Sequence, residues 1–202
     1  MYVPTHFAET DAATLAAFIE AHSFGTLVTI EAGTPFASHV PFLYDQEAGS
    51  LHCHVARGNP QWRHFESSPE ALVIFTGPHG YISPTWYTEP GVPTWNYVAV
   101  HVYGSGRPID DAAATARHVE ALVAKHESGS PSPWVPSYDP RRLAGIVGIE
   151  IRIRAIEGKY KLSQNRSAAD RASVVANLEA SGSDNDVALA TLVVSAGAKR
   201  RT

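Results

Sequence analysis

Four short segments of this 202-residue chain carry more hydrogen-bonding and aromatic side chains than packing requires. Side chains of these types suit the binding of a phosphate or a polar heterocycle, because they supply donors, acceptors and ring faces. The segments are residues 37–42, 54–62, 93–97 and 161–166.

The second segment predicts a turn that could bind an anion. Asn59 followed by Pro60 predicts a helix start, with Asn59 as the N-cap. A helix N-terminus offers free N–H groups and a positive dipole, and Arg57 could add a bidentate phosphate contact. An ordinary capped helix beside a surface arginine would have the same residues, and the sequence leaves both interpretations open.

The fourth segment is a run of donor side chains, which suits a phosphate or a polar heterocycle. It would equally suit a solvated connector before a helix, for which Ser167 and Asp170 form a capping signal. The donors are Lys161, Ser163, Gln164, Asn165 and Arg166.

The longest strand-like run covers residues 92–107 and includes the third segment. Its alternation predicts one aliphatic face, on which Asn96 is the single polar residue, and one face of aromatic and polar side chains. We therefore expect the Asn96 amide to have a specific partner. Gly104 and Gly106 are expected to loosen the far end of the strand, as at a bulge.

No metal site and no catalytic residue is predicted. His52 and His54 share one face of a strand, but no acidic residue or cysteine motif accompanies them at ligand spacing. The sequence also lacks G-x-S-x-G, so a serine hydrolase has no support.

The composition predicts a globular protein of the reducing cytoplasm. Hydrophobic residues make up 44% of the chain, the net charge is -4, and Cys53, the only cysteine, is expected to be buried. We expect no leader peptide and no membrane-spanning run. The acidic balance argues against a general nucleic-acid surface, although six basic residues cluster within 152–171.

About seven strands with inserted helices are predicted, without the alternation typical of a parallel sheet. We expect a mostly β protein, an antiparallel barrel, as one domain over 1–180, with 181–202 as a helical extension or tail. A turn is expected at Glu157-Gly158. Asp110 or Asp111 should cap a helix that ends near Lys125, and its predicted inward residues are Val119, Leu122, Val123 and His126.

The sequence resembles the PaiB family, whose members are named FMN-binding negative transcriptional regulators. The resemblance spans about residues 1–180, and PTWNYVAVH and KLSQNR are its most specific motifs. The other matching stretches, in order, are MYVPTHFAETD, FGTLVT, ASHVPFLYD, HVARGNPQW, ALVIFTGPHGYISPTWY and GIVGIEIRIRAIEGKY.

The resemblance implies an FMN-binding split β-barrel of the antiparallel Greek-key type, related to pyridoxamine-phosphate oxidases and flavin reductases. Such proteins are usually homodimers with FMN in a groove between subunits. Where those oxidases carry an Arg-Lys type pair, this chain has Pro60 and Gln61, so other donors must hold the phosphate. The implied FMN residues are Ser38, His39, Val40, His54, Val55, Ala56, Arg57, Asn59, Gln61, Trp95, Asn96, Lys161, Ser163, Gln164 and Arg166.

Three functions remain open at this point. The first is an FMN-binding regulator of the PaiB type, in which Asn96 contacts the flavin edge and Trp95 or Tyr97 covers a ring face. The second is a flavin-dependent oxidoreductase of the same fold. The third is direct repression at DNA, for which the sequence offers no helix-turn-helix with a basic recognition helix. Haem binding through His54 or His39 is a further possibility.

Overall fold

The computed structural model describes residues 1–109, 111–136 and 139–198. Within them the chain forms eight strands and five α-helices. The strands are β1 Ala8–Glu9, β2 Phe24–Glu31, β3 Thr34–Pro41, β4 Leu43–Asp45, β5 Ser50–Ala56, β6 Glu70–Ile82, β7 Thr94–Ile109 and β8 Ile146–Lys161. The helices are α1 Ala12–Ala21, α2 His64–Ser67, α3 Ala112–Glu127, α4 Ala168–Ala180 and α5 Asp184–Ala198.

All eight strands belong to one sheet. Its order is β3-β2-β6-β7-β8-β5-β4, and β1 pairs with β8. The pairs β1–β8, β2–β3, β2–β6, β4–β5 and β5–β8 are antiparallel. Ala32 and Gly33 join β2 to β3 with φ of 47° and 79°, as a two-residue hairpin turn requires. The prediction of a mostly β, antiparallel protein is confirmed.

The contacts within the chain divide it into two compact units. The first unit comprises residues 1–15, 76–100 and the described part of 157–202, and the second comprises the described parts of 16–75 and 101–156. The single domain over 1–180 and the separate tail stay predictions.

Each unit has its own apolar core. In the second unit the rings of Phe42 and Phe75 meet edge to face, with centroids 5.4 Å apart, and both side chains are fully buried. In the first unit a Cβ on Gly80 would lie 3.0 Å from Leu189 Cδ2, so β6 packs closely against α5. Cys53 is fully buried in the second unit, as predicted.

Strand β7 has the predicted alternation but not the predicted end. Asn96, Val98, Val100 and Val102 are all buried. The strand continues through Gly104 as far as Ile109, because that glycine allows the neighbouring backbone to approach: a Cβ there would lie 2.4 Å from the Arg152 carbonyl oxygen. The expectation that the glycines loosen the strand was wrong.

The turn predicted at Glu157-Gly158 was also wrong. Strand β8 runs through both residues, and Gly158 pairs with Glu9 of β1. A Cβ on Gly158 would lie 2.4 Å from Leu15 Cδ2. The glycine therefore provides space for α1 rather than reversing the chain.

Helix α3 begins at the predicted cap and buries Leu122 as predicted, but not His126. The Asp111 carboxylate accepts from the N–H groups of Ala113 and Ala114, whereas Asp110 lies outside the described residues. His126 is exposed, so its predicted inward position was wrong. The buried residues of this helix are Thr115, His118 and Leu122.

Replacing Ser167 by alanine should lower the free energy of unfolding by about 1 kcal/mol. The Ser167 hydroxyl caps α4 by accepting from the Asp170 N–H at 3.0 Å. Urea unfolding measures the change, and Ser173→Ala within the same helix is the matched control. Equal stabilities of the two variants would contradict a capping role.

Candidate functional site

Nine of the predicted FMN residues lie in the second unit, where Asn59 organises the turn after β5. Its side-chain oxygen accepts from the Gln61 N–H at 2.9 Å, which confirms the predicted N-cap. Its amide nitrogen donates to Ser38 Oγ at 2.9 Å, so the turn is attached to β3. Ser38 and Asn59 are therefore brought together, as the resemblance implies.

The same turn offers a weaker anion site than the sequence suggested. A single 3₁₀ turn, Pro60–Arg63, leads into the four-residue helix α2, and so short an element has little dipole. The Arg57 guanidinium donates to the carbonyl oxygens of Ala144 and Ile146 at 2.6 Å and 3.0 Å. Two donor groups of Arg57 thus already bind backbone.

Gln61 is part of the core. It is fully buried, and its Nε2 donates to the carbonyl oxygen of Leu27 at 3.0 Å. Its Oε1 has no hydrogen-bond partner among the described residues. Val40 and Val55 are also buried, so these two residues can offer a ligand only their backbone.

The two histidines of this group have partners of their own. His39 is exposed on β3, and its Nδ1 lies 2.9 Å from Thr26 Oγ1. His54 Nδ1 lies 3.2 Å from His118 Nε2 of helix α3. Ala56, at the end of β5, is exposed and pairs with Ile146.

The other six predicted residues lie in the first unit, where Asn96 is the central side chain. Asn96 is 1% exposed, and its Nδ2 donates to Ser163 Oγ at 2.9 Å. Its Oδ1 is buried and has no partner among the described residues. Ser163 is held at a φ of 61°, which is unusual for a residue with a side chain and is typical of functional positions.

Three cations of the first unit, Lys159, Lys161 and Arg166, lie close enough to influence one another. Lys161 Nζ donates to Thr94 Oγ1 and to the Trp95 carbonyl oxygen. Burial lowers the pKa of Lys161, and the charges of Lys159 and Arg166 lower it further. None of the three cations forms an ion pair with a carboxylate in the described part of the chain. A bound anion would therefore relieve their mutual repulsion.

Gln164 has a local structural role. Its Oε1 accepts from the Leu162 N–H at 2.7 Å, and its Nε2 donates to the Tyr160 carbonyl oxygen. These bonds hold the turn that follows β8 and so position Ser163 and Arg166.

An exposed aromatic face lies on β6 and β7 of the first unit. Trp95 is 54% exposed and Tyr81 is 48% exposed, and their ring centroids are 6.1 Å apart. The His79 ring is also near Trp95, with ring centroids 6.4 Å apart. Flat exposed rings of this kind can cover a planar heterocycle.

Tyr87 is a site residue that the sequence analysis missed. The Arg166 guanidinium lies over its ring at 4.1 Å, and its buried hydroxyl has no partner among the described residues. The available signal was the pair Trp86-Tyr87 in a short loop, because rings are rare in loops that are only connectors.

The described residues contain neither a metal-binding cluster nor a membrane-spanning helix. No group of three or more His, Cys, Asp or Glu is placed to hold a metal ion. No helix has the length and apolar character needed to cross a membrane.

Comparisons with known proteins identify the family. Residues 1–155 match the family model described as "Putative FMN-binding domain". The protease synthase and sporulation protein PAI 2 of Bacillus subtilis is 38% identical over 200 residues, which cover 96% of each chain. An uncharacterized protein of Aspergillus fumigatus is 29% identical over 255 residues, with 98% of each chain covered.

Two solved structures share the fold at low sequence identity. The flavocytochrome Anf3 from Azotobacter vinelandii superimposes with a TM-score of 0.66 at 16% identity, over 85% of this chain and 78% of that one. The FAD and heme binding protein from Mycobacterium smegmatis gives a TM-score of 0.64 at 18% identity, over 82% and 79% of the two chains. The chain is therefore a member of the PaiB family of FMN-binding split-barrel proteins.

Proposed function

We propose that the first unit holds FMN through its cation cluster, defined as Lys159, Lys161 and Arg166. The observation that supports this proposal is that none of the three forms an ion pair among the residues that the structure describes. Among the same residues the buried Asn96 Oδ1 also has no hydrogen-bond partner. A phosphate ester carries nearly two negative charges at neutral pH and accepts several charge-assisted hydrogen bonds. The exposed aromatic face of Trp95 and Tyr81 offers a surface for the isoalloxazine ring.

The residues present fit FMN better than a neutral ligand. Lys161 and Arg166 supply charge, Asn96 supplies a free acceptor for an N–H group, and Tyr87 supplies a hydroxyl. FMN, when bound, supplies the redox chemistry that protein side chains lack. The contributions of Ser38, His39, His54 and Asn59 in the second unit remain predictions.

FMN at a hundred times its dissociation constant should raise the free energy of unfolding by about 2.7 kcal/mol, because it binds only the folded chain. A thermal melt with and without FMN measures this shift, and riboflavin, which lacks the phosphate, is the matched control ligand. The absorbance spectrum of the purified protein should also show flavin. A colourless protein whose melting temperature does not respond to FMN would contradict the proposal.

We further propose that the protein acts as a negative transcriptional regulator, as a homodimer in the cytoplasm. The support is its relationship to PAI 2, and the lone buried Cys53 suits a reducing compartment. The net charge of -4 favours an indirect effect on transcription, or a DNA-binding surface formed only by the dimer. A gel shift on its own promoter across a range of salt concentrations tests direct binding.

A flavin-dependent oxidoreductase is the second candidate. The exposed position of Trp95 and Tyr81 favours it, since a flavin ring on an open face is accessible to a second substrate. Oxidation of NADH or NADPH that depends on added FMN would distinguish an enzyme from a regulator that only binds the cofactor.

A further inference from the structure

Two histidines of the second unit form a contact that the FMN proposal does not use. His54 lies on β5, and His118 reaches it from α3, with 3.2 Å between His54 Nδ1 and His118 Nε2. His118 is only 6% exposed, and its Nδ1 is buried without a partner among the described residues. The cross-strand neighbour of His54 is Gly148, which places no side chain beside the contact.

Helix α3 has few other anchors on the sheet. Three of its sixteen residues are buried, and His118 is the middle one. Cavities lie on both of its flanks, one of about 540 Å³ beside His52 and Arg117 and one of about 500 Å³ beside Trp62 and Ala116. Near its end, Lys125 forms an ion pair with Glu20. The contact with His54 is thus one of the few attachments of α3 to the sheet, and it lies between the buried Thr115 and Leu122.

The charged groups around the His54–His118 contact do not favour the protonation of either ring. His52 and His54 approach from β5, Arg107 from β7 and Glu150 from β8. Arg117 belongs to α3, and Asp111 is the residue that caps it. The Glu150 carboxylate is paired with Arg107, and the Asp111 carboxylate lies 3.8 Å from Arg117. In the described residues neither His54 nor His118 has a carboxylate partner.

We propose that the His54–His118 contact is a proton-sensitive latch that holds α3 on the sheet at neutral pH and releases the helix on acidification. Two neutral imidazoles can form an N–H···N hydrogen bond, in which one ring donates and the other accepts. When both rings are protonated, each nitrogen is a donor and the hydrogen bond is lost. The two like charges then repel in a poorly hydrated site, and the rings separate.

The direction of the pH dependence follows from the shifted pKa values. Burial, together with the charges of His54 and His52, lowers the pKa of His118 to about 4, and burial also lowers the pKa of His54. The released state binds protons more tightly, with the ordinary histidine pKa of about 6.5. The latch therefore contributes fully above pH 6.5 and weakens as the pH falls from 6.5 towards 4.

Hydrogen exchange of the α3 backbone amides, measured at pH 7.5 and 5.0, tests the latch. After correction for intrinsic rates, protection of residues 115–122 should fall on the order of 30-fold at pH 5.0, as linkage gives for His118 alone. His118→Gln keeps a polar side chain that does not titrate, so the pH dependence of its α3 protection should be much smaller. His126→Gln, at an exposed position of the same helix, should behave like the natural protein. A local readout is needed because burial also lowers the pKa of His22.

Equal α3 protection at both pH values in the natural protein would overturn the proposal, as would an undiminished pH effect in His118→Gln. If that variant does not fold, an NMR titration of the natural protein decides instead. The His118 ring should then titrate well below pH 6.5, and the α3 amide signals should shift with the same midpoint. An ordinary midpoint, or α3 signals that do not follow it, would overturn the latch.

Discussion

The double variant Lys161→Ala/Arg166→Ala should bind FMN about 100-fold more weakly than the natural protein. Both side chains are cationic, neither is paired with a carboxylate in the described residues, and a charge-assisted hydrogen bond contributes about 1.5–3 kcal/mol. The partly buried Lys161 ammonium should account for the larger share, because water screens it less. Titration of flavin fluorescence measures the affinity.

Two controls show whether the loss of FMN affinity comes from lost contacts with the phosphate. Riboflavin lacks that group, so its affinity should be nearly the same for the natural protein and the double variant. Arg141→Ala/Arg142→Ala also removes two positive charges, but from exposed positions of the second unit, and should leave FMN affinity unchanged. If the double variant keeps full affinity for FMN, the phosphate is held elsewhere, with Arg57 as the next candidate.

Replacing Gly104 by alanine should destabilise the fold by about 3 kcal/mol, near the upper end of the usual overpacking range. The added Cβ would lie 2.4 Å from the Arg152 carbonyl oxygen and 2.8 Å from Ile151 Cγ2. The first contact is with backbone, so β7 and β8 would have to separate rather than a side chain rotate. The free energy of urea unfolding is the quantity to measure.

Gly129→Ala is the matched control for this change. A Cβ at Gly129 would meet nothing within 4 Å, so stability should change by no more than about 0.5 kcal/mol. Equal stability of Gly104→Ala and Gly129→Ala would mean that β7 and β8 are not so closely packed at this point.

Local signals in the sequence were sufficient for several elements. The N-caps at Asn59, Asp111 and Ser167 were predicted correctly, because capping depends on residues two or three positions apart. The buried face of β7, with Asn96 on it, followed from strict alternation. The family, and with it the FMN cofactor, followed from sequence motifs that resemble those of the PaiB family.

Contacts between residues far apart in sequence decided the features that local sequence signals did not predict. Nothing near Gly158 in sequence indicates that Leu15 packs against it, so a glycine that makes space looked like a turn. Likewise nothing near Arg57 in sequence indicates that the Ala144 and Ile146 carbonyls accept hydrogen bonds from two of its donor groups.

The face of α3 shows the same division between sequence and structure. The pattern of apolar residues predicted His126 as inward, whereas the sheet below the helix has an imidazole at His54 and no side chain at Gly148. That surface accepts His118 and leaves His126 in solvent. The sequence by itself determined the mostly β, antiparallel fold class, three helix caps and the family, whereas only the tertiary structure decided where strands end and which polar side chains meet, because their partners lie dozens of residues away.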